Sequence, residues 1–251
     1  MADKGLQPGR RVSPAFDRVA RAYDLQVRLN PGYHDNLKRA AKAILDRLDA
    51  GAEPALLDVG CGSGASTKAL ALEQLRRGLP VDVLGVDASA GMLEAARAKR
   101  WPPGVRFAQA RAEELGSRAE IAAQVPVDGV LAAYLLRNVA VDERQVCLRG
   151  LYDAVRPGGV LALHDYSVRG NPAAALLWTL ICWTVVIPLG WLTTRHTRLY
   201  RYLWRSALGN DSVADLAARM RLAGLQDVTV VPALGWQRGI LHTIVGTKPD
   251  A

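Results

Sequence analysis

The chain has 251 residues, half of them hydrophobic and 22% charged, a balance that excludes disordered, collagen-like and mucin-like architectures and supplies one full core. The 32 Lys and Arg against 24 Asp and Glu leave a formal charge of +8, which permits attraction to nucleic acid, an anionic membrane surface or an acidic ligand without choosing among them. The three cysteines, Cys61, Cys147 and Cys182, are far apart and the four histidines make no metal-ligand spacing, so neither a disulfide framework nor a metal site is expected, and a reducing cytoplasm is the expected setting.

Residues 1–12 carry basic side chains without the apolar run of a secretory leader and read as a flexible N-terminus. Ser13-Pro14 predicts a helix start, with Phe16, Val19, Ala20, Tyr23 and Val27 at helical spacing before Asn30-Pro31-Gly32. A second helix is expected from about Tyr33 to Leu48. Short apolar runs then alternate with helical patterns: Ala55–Val59, Val81–Val86, Val105–Ala108, Val127–Leu131 and Val160–Leu163 read as strands. That alternation predicts an α/β fold with a parallel sheet wrapped by helices. From Gly170 to Thr194 no side chain is charged, and an Arg-rich segment follows. A helix from Asp211-Ser212 to Gly224 and two closing strands, Val228–Val231 and Gly239–Gly246, complete the chain, the strands forming a hairpin-like pair through Pro232–Arg238.

The densest signal is Leu56-Leu57-Asp58-Val59-Gly60-Cys61-Gly62-Ser63-Gly64-Ala65, an apolar strand running through glycines into a helix. Glycines there let the chain turn sharply and let a ligand lie against bare backbone. The spacing also satisfies the relaxed dinucleotide pattern, so a nicotinamide enzyme has to be weighed. Asp58 argues for the other reading, because a carboxylate at the strand end suits an ammonium and repels a pyrophosphate. Asp87 closes the second strand at a distance suited to a ribose, with capping of the helix beginning near Ser89 as the competing role. Ala88 follows it, and Met92 is positioned either to pack on an adenine or to fill the core. Asp58, Gly60, Gly62, Gly64 and Asp87 together point to S-adenosylmethionine.

With those residues in place, the sequence resembles the class I S-adenosylmethionine-dependent methyltransferases, and more narrowly the ubiquinone/menaquinone-biosynthesis C-methyltransferases. The general likeness rests on Asp58–Gly64, Val83–Leu93, Arg156-Pro157-Gly158-Gly159 and Leu222-Ala223-Gly224-Leu225. The narrower likeness rests on Leu136-Arg137-Asn138-Val139, the Phe16–Asp24 segment and Leu199-Tyr200-Arg201-Tyr202-Leu203. Two departures stand out: His164 occupies a position where the family has glutamate, and Arg111 one where such enzymes place Asp or Asn. The resemblance implies a Rossmann-like, seven-stranded, mostly parallel sheet with one antiparallel strand. It implies a single domain over 13–251: helices at 13–50, a cofactor core at 51–168, an apolar and basic helical cap at 169–223 between strands 5 and 6, and closing strands at 224–248. It also assigns Asp58, Gly60, Cys61, Gly62, Gly64, Asp87, Ala88, Met92, Arg111 and Ala112 to the cofactor, whose product is S-adenosylhomocysteine, with no metal.

On this reading a prenylated quinol is methylated on carbon. Arg137 and Asn138 orient it and stabilise the phenolate, Tyr23 closes over the methionine end, and His164 with Asp165 serves as base and orienter. Each has a plainer alternative: Arg137 in a surface salt bridge to Asp142 or Glu143, His164 as a satisfied structural histidine. The apolar stretch is long enough to span a bilayer, but Pro188 and Gly190 are expected to break it. It is expected instead to line a greasy tunnel or dip into a membrane interface, with Arg195, Arg198, Arg201 and Arg205 at an anionic leaflet. In the competing reading those arginines are a solvated face and Trp178, Trp183 and Trp191 are core. Rival functions are O- or C-methylation of another apolar molecule, such as a phenolic polyketide or glycolipid, and a catalytically silent scaffold at the membrane. No nucleic-acid partner is expected, and oligomerisation is left open.

Overall fold

The computed structural model describes residues 30–49, 52–194 and 197–250. The expected first helix, Tyr23 and Arg195 lie outside them. Helix α1 (Tyr33–Leu45) buries Leu37, Ala40, Ala41 and Ile44, the apolar stripe that its sequence spacing dictates. It stops three residues before the expected Leu48.

Strands β1 (Leu56–Val59), β2 (Val83–Asp87), β3 (Val105–Gln109), β4 (Val127–Ala133), β5 (Val155–Tyr166), β6 (Gln226–Pro232) and β7 (Leu241–Thr247) form one sheet in the order β3-β2-β1-β4-β5-β7-β6. β1 pairs in parallel with β2 and β4, through Asp58↔Gly85 and Asp58↔Leu131. β7 runs antiparallel to both β5 and β6, so the expected closing pair and the single reversed strand are both present. β1 and most of β2 and β4 are buried, as continuous apolar runs must be when helices cover both faces. β5 extends well beyond the expected Val160–Leu163. Its register against β4 jumps from Val127↔Val155 to Gly129↔Val160, so Arg156–Gly159 loops out within the strand.

Helices α2 (Ala65–Arg76), α3 (Ala90–Arg97), α4 (Ala119–Ala122), α5 (Arg144–Asp153) and α9 (Val213–Ala223) complete the wrapped core. Leu70, Leu37 and Ile44 pack on one side of the sheet and Leu148, Leu151, Leu216 and Met220 on the other. α9 begins and ends as expected: the Ser212 hydroxyl accepts from the Asp215 amide at 3.1 Å, and Gly224 closes it at φ 110°.

Between β5 and α9 lie α6 (Pro172–Ile181), a π-helical turn (Cys182–Val186), α7 (Ile187–Thr194) and α8 (Arg198–Leu208). The first three make one continuous apolar run of 22 residues, Pro172–Thr193, so the expected break at Pro188 and Gly190 does not occur. The widened π turn immediately precedes Pro188, where a tighter helix would clash with the proline ring. Gly190 permits contact with α8, since a Cβ there would lie 2.6 Å from Cγ of Tyr200. Only 28% of the apolar window is buried. Trp178 is core, as one reading held, but Trp183 and Trp191 are exposed.

Candidate active site

The sheet order turns back at β1, from which the chain first builds β2 and β3 on one side and then β4 on the other. In open α/β sheets such a reversal leaves a crevice beyond the strand ends. A cavity occupies it, lined by Gly60, Cys61, Gly62 and Ser63 after β1, Asp87, Ala88 and Met92 after β2, and Arg111, Ala112 and Glu113 after β3. Tyr134, Leu135, Arg137 and Asn138 after β4 line the rest, together with Tyr33.

The glycine loop is tied to β2 by one carboxylate. Asp87 accepts from the Gly62 amide at 2.8 Å through Oδ2 and from the Ser89 amide at 2.7 Å through Oδ1. Gly62 adopts φ 54° to present that amide. Gly64, at φ 90°, lies under Trp101, whose ring a Cβ would approach to 2.7 Å. The cap of α3 is Ser89, whose hydroxyl accepts from the Met92 amide at 3.2 Å. Asp87 is therefore not the helix cap and stays on the cavity wall. Met92, buried, also lines the cavity. The Arg111 side chain points to Glu113 at 3.2 Å.

Asp58 lies one layer below the wall. It is fully buried, and Oδ2 accepts from Ser66 Oγ at 2.7 Å and Thr67 Oγ1 at 2.6 Å. Burial, reinforced by the charge of Asp87, pushes its carboxyl up to about 7. Its Oδ1 is buried without a hydrogen-bond partner, an orphan acceptor that a cation reaching the loop would satisfy. Asp58, expected at the strand end to meet an ammonium, therefore does not itself line the cavity, whereas Asp87 does. Burial also raises the Cys61 thiol, which faces the loop carbonyl of Gly62 at 3.7 Å.

On the opposite wall Arg137 is buried at 3% exposure. Its Nε lies 3.0 Å from Oδ1 of Asp165, its Nη1 donates to Ser206 Oγ at 2.8 Å, and its amide donates to Asp165 Oδ2 at 3.1 Å. The guanidinium sits 5.7 Å from the ring centres of both Tyr134 and Tyr166. Burial pushes Asp165 up to about 6 against the pull of Arg137. The weighed surface salt bridge to Asp142 or Glu143 is replaced by this buried pair. The Asn138 amide donates to the Tyr134 carbonyl at 2.7 Å, and its oxygen accepts from Tyr202 Oη at 2.9 Å.

His164 and Asp165 do not form a base and its orienter. Successive residues of a strand face opposite sides of the sheet, so Asp165 meets Arg137 while His164 meets Thr243 and Tyr134. Burial holds the His164 imidazolium down to about 3, and an imidazole so held takes up no proton at neutral pH. None of the described residues of α6 and α7 lines the cavity, so the expected greasy tunnel along them is not formed there. Tyr33 and Tyr134 are wall residues that the sequence reading left out. Tyr134 was within reach of it, three residues before Arg137, had β4 been extended past Leu131.

The sequence matches the ubiE/COQ5 methyltransferase family over residues 5–248. It is 33% identical over 227 residues to a ubiquinone/menaquinone biosynthesis C-methyltransferase UbiE of Syntrophotalea carbinolica, covering 90% of this chain and 87% of that one. It is 28% identical to a trans-aconitate 2-methyltransferase of Paracidovorax citrulli, covering 82% and 66%. Among solved structures, a SAM-dependent methyltransferase from Thermotoga maritima superposes with a TM-score of 0.63 at 19% identity, over 94% of this chain and 99% of that one. The magnesium protoporphyrin IX methyltransferase of Synechocystis, with bound SAH, superposes at 0.60 and 16% identity, over 94% and 95%; these two share the fold. The chain belongs to the ubiE/COQ5 methyltransferase family and is a S-adenosylmethionine-dependent methyltransferase.

Proposed function

We propose that this enzyme methylates a ring carbon of a hydrophobic, prenylated quinol at the inner face of a membrane. The observation that carries this reading is Arg137: a cation buried in the cavity wall, flanked by two aromatic rings and tethered to Asp165. Such a group stabilises the negative charge that develops on a phenolic oxygen as its ring carbon becomes nucleophilic.

The cleft suits the cofactor. On this reading Asp87 would hold the ribose hydroxyls, the amides of the glycine loop the methionine carboxylate, and Met92 with Ala88 and Ala112 the adenine, all of them lining the cavity. The orphan oxygen of Asp58 would supply negative potential toward a cationic ligand in the glycine loop. S-adenosylmethionine, when bound, brings an activated methyl on a positive sulfur. The chain then has to align the acceptor, which can contribute about 7–11 kcal/mol. Asn138 serves that alignment because both ends of its amide are fixed, and Arg137 holds the phenolate. His164 is not the base, and water is left to carry the phenolic proton. Tyr23, outside the described residues, keeps its proposed place over the methionine end.

The membrane part of the reading rests on surface chemistry. Leu176, Leu180, Trp183, Val185, Trp191 and Leu192 are exposed along α6 to α7. On the next helix Arg198, Arg201 and Arg205 face solvent, and Arg201 lies 5.6 Å from the ring centre of Trp183. An apolar ridge bordered by arginines complements an anionic leaflet, where each cation adds about 1 kcal/mol. His164 at the family's glutamate position favours a second reading, methylation of another apolar acceptor such as a phenolic polyketide or a glycolipid.

The test is to incubate the protein with methyl-labelled S-adenosylmethionine and a reduced short-chain 2-prenyl-1,4-naphthoquinol. A labelled naphthoquinol methylated at a ring carbon supports the quinol reading. Label appearing only in another component of a lipid extract supports the second.

A further inference from the structure

Two charged neighbours at the start of α5 take opposite directions. Arg144 is buried at 1% exposure, its Nε donating to the Val139 carbonyl at 3.3 Å and its Nη1 3.1 Å from Oδ1 of Asp211. Glu143, the residue before it, is exposed and lines the cavity. Its backbone is fixed at both ends, the amide donating to the Ala140 carbonyl and the carbonyl accepting from the Cys147 amide, each at 2.9 Å. Its carboxylate does not cap the helix, and among the described residues it has no hydrogen bond or ion pair. The other carboxylates lining the cavity are committed: Asp87 accepts from the Gly62 and Ser89 amides, and Glu113 from Arg111 Nε at 3.2 Å.

Glu143 stands at the β3 end of the cleft. Helix α5 packs against the one-turn helix Ala112–Glu114 that follows β3, and a Cβ on Gly150 would lie 3.4 Å from the Ala112 carbonyl oxygen. The Cys147 thiol, one turn after Glu143, is pushed up to about 12, chiefly by burial, and the charges of Glu113, Arg111 and Glu143 all act on it. These three side chains are therefore grouped about one point. In the cofactor pose proposed above the adenine lies there, against Met92, Ala88 and Ala112. Its exocyclic amine is a donor that needs an acceptor once it leaves water. Arg111 has only donors, and Glu113 is held by it. We infer that the Glu143 carboxylate accepts from the 6-amino group of the cofactor and makes the site selective for adenine among purines.

The inference rests on that pose, and calorimetry separates the two. Binding of S-adenosylhomocysteine is compared with binding of its analogue carrying hydrogen in place of the 6-amino group. In the parent, loss of the amine is expected to cost about tenfold in affinity, the scale of a hydrogen bond to a charged acceptor. Glu143→Ala should bind S-adenosylhomocysteine about tenfold more weakly and no longer distinguish it from the analogue, the non-additivity of two groups that meet in one contact. Glu143→Gln keeps a carbonyl acceptor and should restore most of the preference. Asp87→Asn, which should weaken both ligands equally, reads the pose alone, and no loss there overturns the pose and the inference with it. A preference for the amine that survives undiminished in Glu143→Ala overturns the inference and leaves the pose standing, as does a parent indifferent to the amine. A fall in turnover of Glu143→Ala with both affinities unchanged assigns the carboxylate to the methyl acceptor and overturns the inference as well.

Discussion

Tyr202 donates its hydroxyl to Oδ1 of Asn138 across 2.9 Å, joining the basic helix α8 to the residue pair at the end of β4. One turn further along, Ser206 accepts from Arg137 at 2.8 Å. The same helix carries Arg198, Arg201 and Arg205, all exposed. Residues 202 and 206 share one face by helical spacing, and 201 and 205 share an adjoining one. The helix that would meet a membrane is therefore the helix that fixes Asn138 and Arg137.

Tyr202→Phe removes one hydrogen bond from Asn138 without emptying the packing around it. A net bond of about 1 kcal/mol corresponds to roughly a fivefold effect. The expected outcome is a fall in kcat of about that size with unchanged calorimetric affinity for S-adenosylhomocysteine. Weakened cofactor binding with an unchanged turnover would show that Tyr202 serves a different part of the site.

The exposed ridge of α6 to α7 and the arginines of α8 predict co-flotation with vesicles containing anionic lipid, weakening as salt is raised. Replacing Arg198, Arg201 and Arg205 together by Ala should weaken partitioning by roughly a hundredfold, at about 1 kcal/mol for each charge. Trp183→Ser should weaken it on neutral vesicles as well, through lost apolar contact. A parent protein that stays at the bottom of the gradient contradicts the membrane assignment.

Arg137 and Asp165 are each almost wholly buried, so removing one strands the other. Asp165→Ala is expected to cost about 3–5 kcal/mol of stability, read as a lowered denaturant midpoint. The pair replaced together by Met and Leu should recover much of that stability and none of the turnover. That split distinguishes a cation held for catalysis from one retained for folding.

Asp58 titrates near 7 when folded, against 3.8 for the free side chain. Between those values the folded protein holds a proton that the unfolded chain has released, so stability falls as pH rises from about 4 to 7 and the penalty is complete above 7. Asp58→Asn should therefore raise the thermal midpoint of the cofactor-free enzyme at pH 8 and leave it unchanged below pH 4. The same variant should bind S-adenosylmethionine more weakly at pH 8, because the buried charge beneath the cation is gone. A midpoint gain of equal size at pH 3 and pH 8 would contradict this assignment.

That the glycine loop and Asp87 meet at one cavity was legible because these residues are nearly contiguous. The strand, the glycines and Asp58 occupy ten consecutive positions, and Asp87 ends the next strand. The acceptor side depends on partners distant in sequence. Arg137 finds Asp165 instead of its neighbours Asp142 and Glu143, because β4 and β5 are adjacent and Ala133 pairs with His164. Tyr134 meets His164, 30 residues away, only after a left-handed turn that no local signal announces, and His164 meets Thr243, 79 residues away, across an antiparallel ladder. Pro188 reads as a helix breaker from its chemistry, yet the preceding π turn makes room for it.

The most direct measurement is carbon NMR of the product formed from S-adenosylmethionine carrying a ¹³C-methyl and the short-chain naphthoquinol. Methylation at carbon predicts a single new signal among aryl methyl resonances, absent when Arg137→Ala replaces the parent. A methoxy resonance, or an unlabelled quinol recovered beside consumed cofactor, would contradict it.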